Sequence, residues 1–306
     1  MHRLDVFSLS AAKIERNEVA EKFYVKSLPN GMTVLGQVME QVTSAAMTLV
    51  VPAGSSHDPS ELAGAAAVAS EWMLRGAGGK NTRQLNDALD SLGCQHHEKV
   101  QSEYIQCATA QLGSNLPAVL EIFADVILRP TLDDATFDPC RALIMQDLIS
   151  LEDEPGQKCN MILREKFYPD PLGRSPYGTA ETLEGLTAGK VRDNVKAHLN
   201  PHGAMLAVAG KFDWSEFCGL VEKYFGQWAA PKPEPVRLTK AMHGVTQIQK
   251  DSSQSHIAIA HKAANVDSAD YYTARLAETI LSGGMSGRLF TEVREKRGLV
   301  YHVSSR

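Results

Sequence analysis

No apolar run in this 306-residue chain reaches 18 residues. A helix that crosses a bilayer needs about that length, so no spanning helix is predicted. The opening stretch, MHRLDVFSLSAAKIERNEVAEKF, has no apolar h-region, which argues against a secretory leader. Glu15, Glu18 and Glu21 argue against a mitochondrial presequence, which is poor in acids. Positive charge is also scarce: the net charge is −5, with no basic face or tail, so nucleic acid is not an expected partner. There are only five cysteines, an odd and scattered set (Cys94, Cys107, Cys140, Cys159, Cys218). They form no C-x-x-C pair, which excludes a zinc knuckle and a disulfide framework and points to a reducing, cytoplasmic compartment.

What remains is ordinary for a globular protein, with 43% hydrophobic and 22% charged residues. The length is sufficient for two domains with cores of their own. Alternating and apolar runs over 23–52 read as strands, with Asn30-Gly31 as a hairpin signal. Helices are predicted over 60–76, 82–93 (Thr82 as N-cap), 115–130, 134–155 (entered near Asp138-Pro139), 190–199 and 215–228. Strands are predicted over 102–112 and 203–210. The proline-rich APKPEPVRLTK, 230–240, has no periodicity and reads as a linker. Beyond it a strand, 255–263, leads to a helix, 270–281, a glycine loop and another helix.

That order repeats the first half. With a shift of 205 residues, Gly78 meets Gly283, Gly79 meets Gly284, Arg83 meets Arg288 and Gly93 meets Gly298. Leu85 meets Phe290 and Asp87 meets Glu292. The chain is therefore expected to be α+β and duplicated, each copy an antiparallel or mixed sheet covered by helices. The expected divisions are an extension over 1–22, a first domain over 23–229, a linker over 230–246 and the start of a second domain over 247–306. The second copy is read as incomplete, the chain as a fragment of a longer protein, because helices without their sheet leave apolar faces open.

Several motifs together resemble the pitrilysin/insulinase family of metallopeptidases, in its mitochondrial-processing-peptidase-like branch. They are LPNGMTV and AGSSHD, then YPDPLGRSPYGTAETLEGLT and AVAGKFD, and most specifically LSGGMSGRLFTEVREKRGLVYHVSS. The resemblance covers nearly all of the chain after about residue 23 and implies repeated α+β domains that close around a peptide. An active member carries H-x-x-E-H on the helix after the glycine that corresponds to Gly64. Two histidines four apart on one helix face bind zinc, and the glutamate activates the metal-bound water. The stretch GAAAVASEWMLRGAGG, 64–79, has no histidine. Aligned from Gly64, the motif positions hold Ala67, Ser70 and Glu71, and the third ligand corresponds to Asp147.

Alanine has no donor and serine is a poor base near neutral pH, so the resemblance implies no zinc on this chain and no peptide cleavage by it alone. Glu71 and Asp147 with water could hold a hard cation weakly; polar relics of a cleft are the favoured reading. In His96-His97-Glu98, neighbouring strand residues point to opposite faces, so the two histidines do not converge on a metal. The resemblance places His97 and Glu98 on an edge strand that pairs with substrate backbone. Gly283 and Gly284 form a structural turn or a peptide-contacting loop. It also assigns Arg294 and Tyr301, seven residues apart, as donors facing a zinc across the cleft; a solvated helix and a packed Tyr are the alternative.

These readings favour a zinc-less subunit that pairs with a zinc-bearing homologous subunit around a peptide substrate. It would need no cofactor of its own and would supply Arg294 and Tyr301 in trans. The alternative is a non-enzymatic scaffold subunit of a larger assembly. A peptidase acting alone is disfavoured by the missing ligands.

Overall fold

A computed structural model describes residues 22–241, 244–250 and 252–306. The extension expected over 1–22 thus lies, Lys22 apart, outside the described residues. The chain divides into two compact units, Met1–His256 and Ile257–Arg306.

The first unit opens with β1 (Phe23–Ser27) and β2 (Thr33–Val38), an antiparallel hairpin turned at Asn30-Gly31. Then come β3 (Ser44–Val51), α1 (Ala65–Met73), the short pair β4 (Gly76–Ala77) and β5 (Lys80–Asn81), and α2 (Thr82–Ser91). β6 (Gln95–Val100) and β7 (Ile105–Leu112) form a second hairpin, followed by α3 (Leu116–Leu128), α4 (Asp134–Ser150) and α5 (Pro155–Phe167). α6 (Ala180–Gly185), α7 (Ala188–His198), β8 (Met205–Gly210) and α8 (Trp214–Phe225) complete it. Six strands form one mixed sheet in the order β1-β2-β8-β3-β7-β6, with β2 and β8 parallel and the other neighbours antiparallel. The fold is the α+β class expected.

One face of the sheet is covered. In β3 the side chains of Ala45, Met47, Leu49 and Val51 are buried, while Ser44 and Ala46 are exposed. This is the two-residue alternation of a sheet with one apolar side. Met47, Leu49, Leu206 and Val34 join Trp72, Phe123 and Phe225 in a single core. Fully burying each such side chain stabilises by about 1.5–3 kcal/mol before entropy is counted.

Several expected boundaries move for local reasons. The helix expected over 60–76 is interrupted: Ser60–Leu62 is a separate 3-10 turn and α1 starts after Gly64. Gly64 has φ +97, and a Cβ there would lie 2.7 Å from the Tyr177 carbonyl oxygen. At Gly178, φ +70, a Cβ would lie 2.1 Å from the Ala63 carbonyl oxygen. Two chain segments cross here at backbone contact, which only glycine permits. The N-cap of α2 is Asn81 rather than Thr82, in a reciprocal capping box with Gln84. α4 is N-capped by Asp133, whose carboxylate accepts the Ala135 N–H at 3.0 Å, so Pro139 lies inside the helix rather than at its entry. Residues 255–263 form no strand, because strand-like alternation becomes structure only with a partner strand to bond. No helix among the described residues is long and apolar enough to cross a membrane.

Asp58 fixes the start of α1. Its Oδ2 accepts the Ala66 N–H at 3.0 Å and its Oδ1 accepts from Asn194 Nδ2 at 2.8 Å, tying the loop before α1 to α7. Burial raises its pKa to about 6, against the pull of Ala66, Asn194, Gly64 and Arg174. A carboxyl raised in the folded state binds its proton more tightly there than in the unfolded chain. Its contribution to stability is therefore present at low pH and is lost as pH rises from about 4 through 6, by on the order of 3 kcal/mol. His57 and His198, both lowered chiefly by burial, run the other way and strengthen the fold as pH rises towards neutrality. Urea unfolding of Asp58→Asn and wild type at several pH values separates the two trends. The stability gap between them should shift against wild type from pH 4 to 7; parallel curves would refute the assignment.

Candidate functional site

α1 is built almost wholly of small residues, AAAVASEWM, and packs against α4, α7 and β6. Ala67 and Ser70 are buried on it, and Glu71 is half-buried one turn from Arg75. The Glu71 carboxylate is ion-paired with the Arg75 guanidinium. Arg75 also reaches the Cys140 thiol on α4, and its Nε is buried with no hydrogen-bond partner among the described residues. Burial opposes the charge on Arg75, and Glu71 with Cys140 outweighs that cost, so its pKa is raised. Burial also raises the Cys140 thiol, with Arg75 pulling it down.

From the sheet side, β6 brings Glu98 towards the same helix. Among the described residues β6 is the edge strand of the sheet, bonded to β7. Glu98 is well covered, and His96 Nδ1 lies 3.0 Å from its carboxylate. Its pKa is raised by burial first, against His96, with Glu71 adding to the rise. A helix carboxylate and a strand carboxylate thus share one electrostatic environment. His97 lies on the opposite face of β6 and is exposed. Asp147 is exposed on α4 and acts on Tyr177, whose pKa is raised by burial and then by Asp147. Among the described residues, no hydrogen bond or ion pair joins Asp147 to Glu71.

Catalytic zinc needs three N, O or S ligands and an open position. Here Ala67 offers no donor, Ser70 offers a neutral hydroxyl, and Glu71 is already engaged by a cation of the chain itself. This donor set does not fit a catalytic zinc. Among the described residues, no three His, Cys, Asp or Glu side chains group as a metal site.

The unit Ile257–Arg306 holds α9 (Tyr271–Ser282), which ends at Gly283. Gly284 follows at φ +134, a backbone region that side chains rarely enter. Residues Phe290–Glu295 form a π-helix, with the Lys296 N–H bonded to the Thr291 carbonyl at 3.0 Å. Such turns are rare and concentrate at functional sites. Arg294 sits in this turn, its guanidinium 4.7 Å from the Phe290 ring centre and 5.4 Å from that of Tyr301. The two residues singled out from the sequence are thus neighbours. Tyr301 is 84% exposed, so its hydroxyl is open to a ligand.

Neither Arg75 nor Cys140 is among the site residues expected from the sequence. Arg75 had a visible signal, its position four residues after Glu71 on a helix. Cys140 had none, because only the packing of α4 on α1 brings it there.

Two family descriptions match this chain: "Insulinase (Peptidase family M16)" over residues 33–180 and "Peptidase M16 inactive domain" over 185–306. An uncharacterized zinc protease of Streptomyces coelicolor is 26% identical over 289 residues, covering 91% of this chain and 63% of its own length. One from Mycobacterium tuberculosis is 27% identical over 288 residues, covering 91% of this chain and 65% of its own. This chain therefore spans somewhat less than two thirds of the length of these curated relatives. The crystal structure of a peptidase M16 inactive domain from Pseudomonas fluorescens superposes with a TM-score of 0.77 at 20% identity, covering 93% of this chain and 70% of that one.

Proposed function

Because this chain belongs to the pitrilysin/insulinase (M16) peptidase family, we propose that it is the zinc-less subunit of a processing-peptidase-like pair. Its partner is a homologous subunit with an intact H-x-x-E-H, and its ligand is a peptide. The arrangement is a first domain over 23–229, a linker over 230–246 and a second domain from 247, in the cytoplasm.

The observation that carries the reading is the uneven fate of the two motifs. The zinc positions hold Ala67 and Ser70, with Glu71 engaged by Arg75, whereas Arg294 and Tyr301 remain as adjacent, accessible donors. A partner's zinc supplies the activated water. This chain holds the peptide along the β6 edge, beside His97 and Glu98, and at the Gly283–Gly284 turn. Its guanidinium fork and phenol O–H stabilise negative charge growing on the attacked carbonyl oxygen. Aromatic contacts on the Arg294 guanidinium limit its motion and so lower the entropy cost of aiming it.

The full-length protein, purified natively, tests this. It is expected to carry no stoichiometric zinc, to bring down a homologue with H-x-x-E-H, and to hydrolyse peptide only together with it. One tightly held zinc per chain, with chelator-sensitive cleavage by this chain alone, would overturn the proposal. Recovery with a large assembly and no peptidase would leave the scaffold role in its place.

A further inference from the structure

The proline-rich segment 230–240 is tied down at both ends. Near its start, Asn200 Nδ2 donates to the Pro231 carbonyl at 2.6 Å. Near its end, Thr239 docks on one residue through two bonds. The Thr239 N–H donates to the Asp170 carbonyl at 2.9 Å, and the Asp170 N–H donates to Thr239 Oγ1 at 3.2 Å. Threonine can close such a pair because its hydroxyl oxygen accepts beside its own amide donor. The docked segment thereby fixes the backbone of Asp170.

The Asp170 carboxylate in turn grips Arg174, accepting from Nε and from Nη2 at 2.6 Å each. The same guanidinium reaches a third stretch of chain. Its Nη1 donates to the Asp58 carbonyl at 3.0 Å and its Nη2 to Ser60 Oγ at 2.9 Å. Asp58 is buried, and its carboxylate accepts the Ala66 N–H in the first turn of α1. Beside it, the Ser55 and Ser56 N–H groups donate to the Gln101 and Ser102 carbonyls at 3.0 and 2.7 Å, where β6 turns into β7. Ser102 Oγ closes the circuit by donating to the Leu172 carbonyl at 2.7 Å, two residues from Asp170. The node is one planar fork, which can hold a carboxylate with two nitrogens and still bond a carbonyl and a hydroxyl. The Arg174 side chain is 21% exposed, so its charge relies on Asp170 staying in place.

We propose that Arg174 makes the proline-rich segment a latch. With Thr239 docked, the start of α1 and the β6–β7 turn are held; release of Thr239 loosens both. Single surface bonds open readily, but here each bond positions the donor or acceptor of the next, so the group opens as one local unit. The coupling is reciprocal: whatever tightens the start of α1 also tightens the segment. The chain beyond residue 240 leaves through this segment, so a pull on it is felt at the helix that carries Ala67, Ser70 and Glu71 and at the end of β6. The latch stands independently of the proposed pairing with a zinc subunit.

Amide hydrogen exchange on the full-length protein, resolved by NMR, gives the test, because the Thr239 and Ala66 N–H groups are both bonded members of the circuit. Thr239→Val keeps the shape and the N–H but deletes the acceptor. It should speed exchange at Ala66 by about threefold or more, while amides of the central strand β3 change by less than about twofold. Arg174→Lys keeps the charge but loses the fork, and should speed both Thr239 and Ala66 by about tenfold or more. It should also open the segment to trypsin after Arg237 and Lys240. The double variant should exchange at Ala66 no faster than Arg174→Lys alone, since both changes break one circuit. Thr239 is exposed, so its substitution leaves the core intact even if Arg174→Lys folds poorly. Unchanged exchange at Ala66 in Thr239→Val, equal acceleration across β3, or additive effects in the double variant would overturn the proposal.

Discussion

Tyr301→Phe, in a reconstituted complex with a zinc-bearing homologue, should lower kcat by about 10²–10³ while assembly is unchanged. The substitution deletes one O–H and almost no volume, and Tyr301 is too exposed for its loss to disturb a core. The phenyl ring that remains still flanks the Arg294 guanidinium, so the neighbouring donor keeps its place. Arg294→Ala should cost as much or more, and should also raise KM because the fork positions the peptide as well as its oxyanion. Lysine at 294 should rescue poorly, since a point charge does not reproduce a planar fork. The measurement is steady-state kinetics on complexes matched by gel filtration. If both variants assemble and kcat/KM stays within twofold of wild type, the pair has no part in catalysis and the scaffold role stands.

Trp72→Ala should be the most damaging single change to the first unit. Trp72 is fully buried in α1 and stacks edge-on against Phe137 with ring centres 5.0 Å apart. Its Nε1 donates to the Asp133 carbonyl at 3.0 Å and to Thr136 Oγ1 at 3.1 Å, and the Arg192 guanidinium lies 5.3 Å from its ring. One side chain therefore locks α1 to the start of α4 and to α7. Truncating a buried tryptophan costs about 3–5 kcal/mol. In a unit of this size that lowers Tm by on the order of 10 °C. Trp72→Phe should recover part of the loss by refilling the cavity without restoring the N–H. A Tm change of only a degree or two in Trp72→Ala would show that α1 is held chiefly by its other contacts.

The contrast between these two residues marks what the sequence could disclose. Elements whose order is set by local chemistry were legible. Asn30-Gly31 turns a hairpin because glycine takes the φ of +90 found there. The alternation of SAAMTLVV declares a strand with one buried side, and the periodicity of 115–130 declares α3. Boundaries shifted where a neighbour in space decided, as at Gly64, where the crossing with Gly178 ends one turn and starts another. α5 and α6 were not anticipated, because α5 buries no residue fully and α6 has only six residues. At the site, the missing histidines were plain from spelling alone. That Glu98 shares the field of Glu71, and that Cys140 meets Arg75, depend on contacts distant in sequence.

The Glu71–Arg75 pair has a consequence for how such a chain evolves. The counter-charge to Glu71 is a cation tethered to the same helix, so the two positions are constrained together. Histidine at 71 strands a half-buried guanidinium without its counter-charge, beside an imidazole that gains no metal while positions 67 and 147 stay as they are. A change at either residue of the pair alone is therefore selected against on stability, and the two positions are expected to drift only in concert.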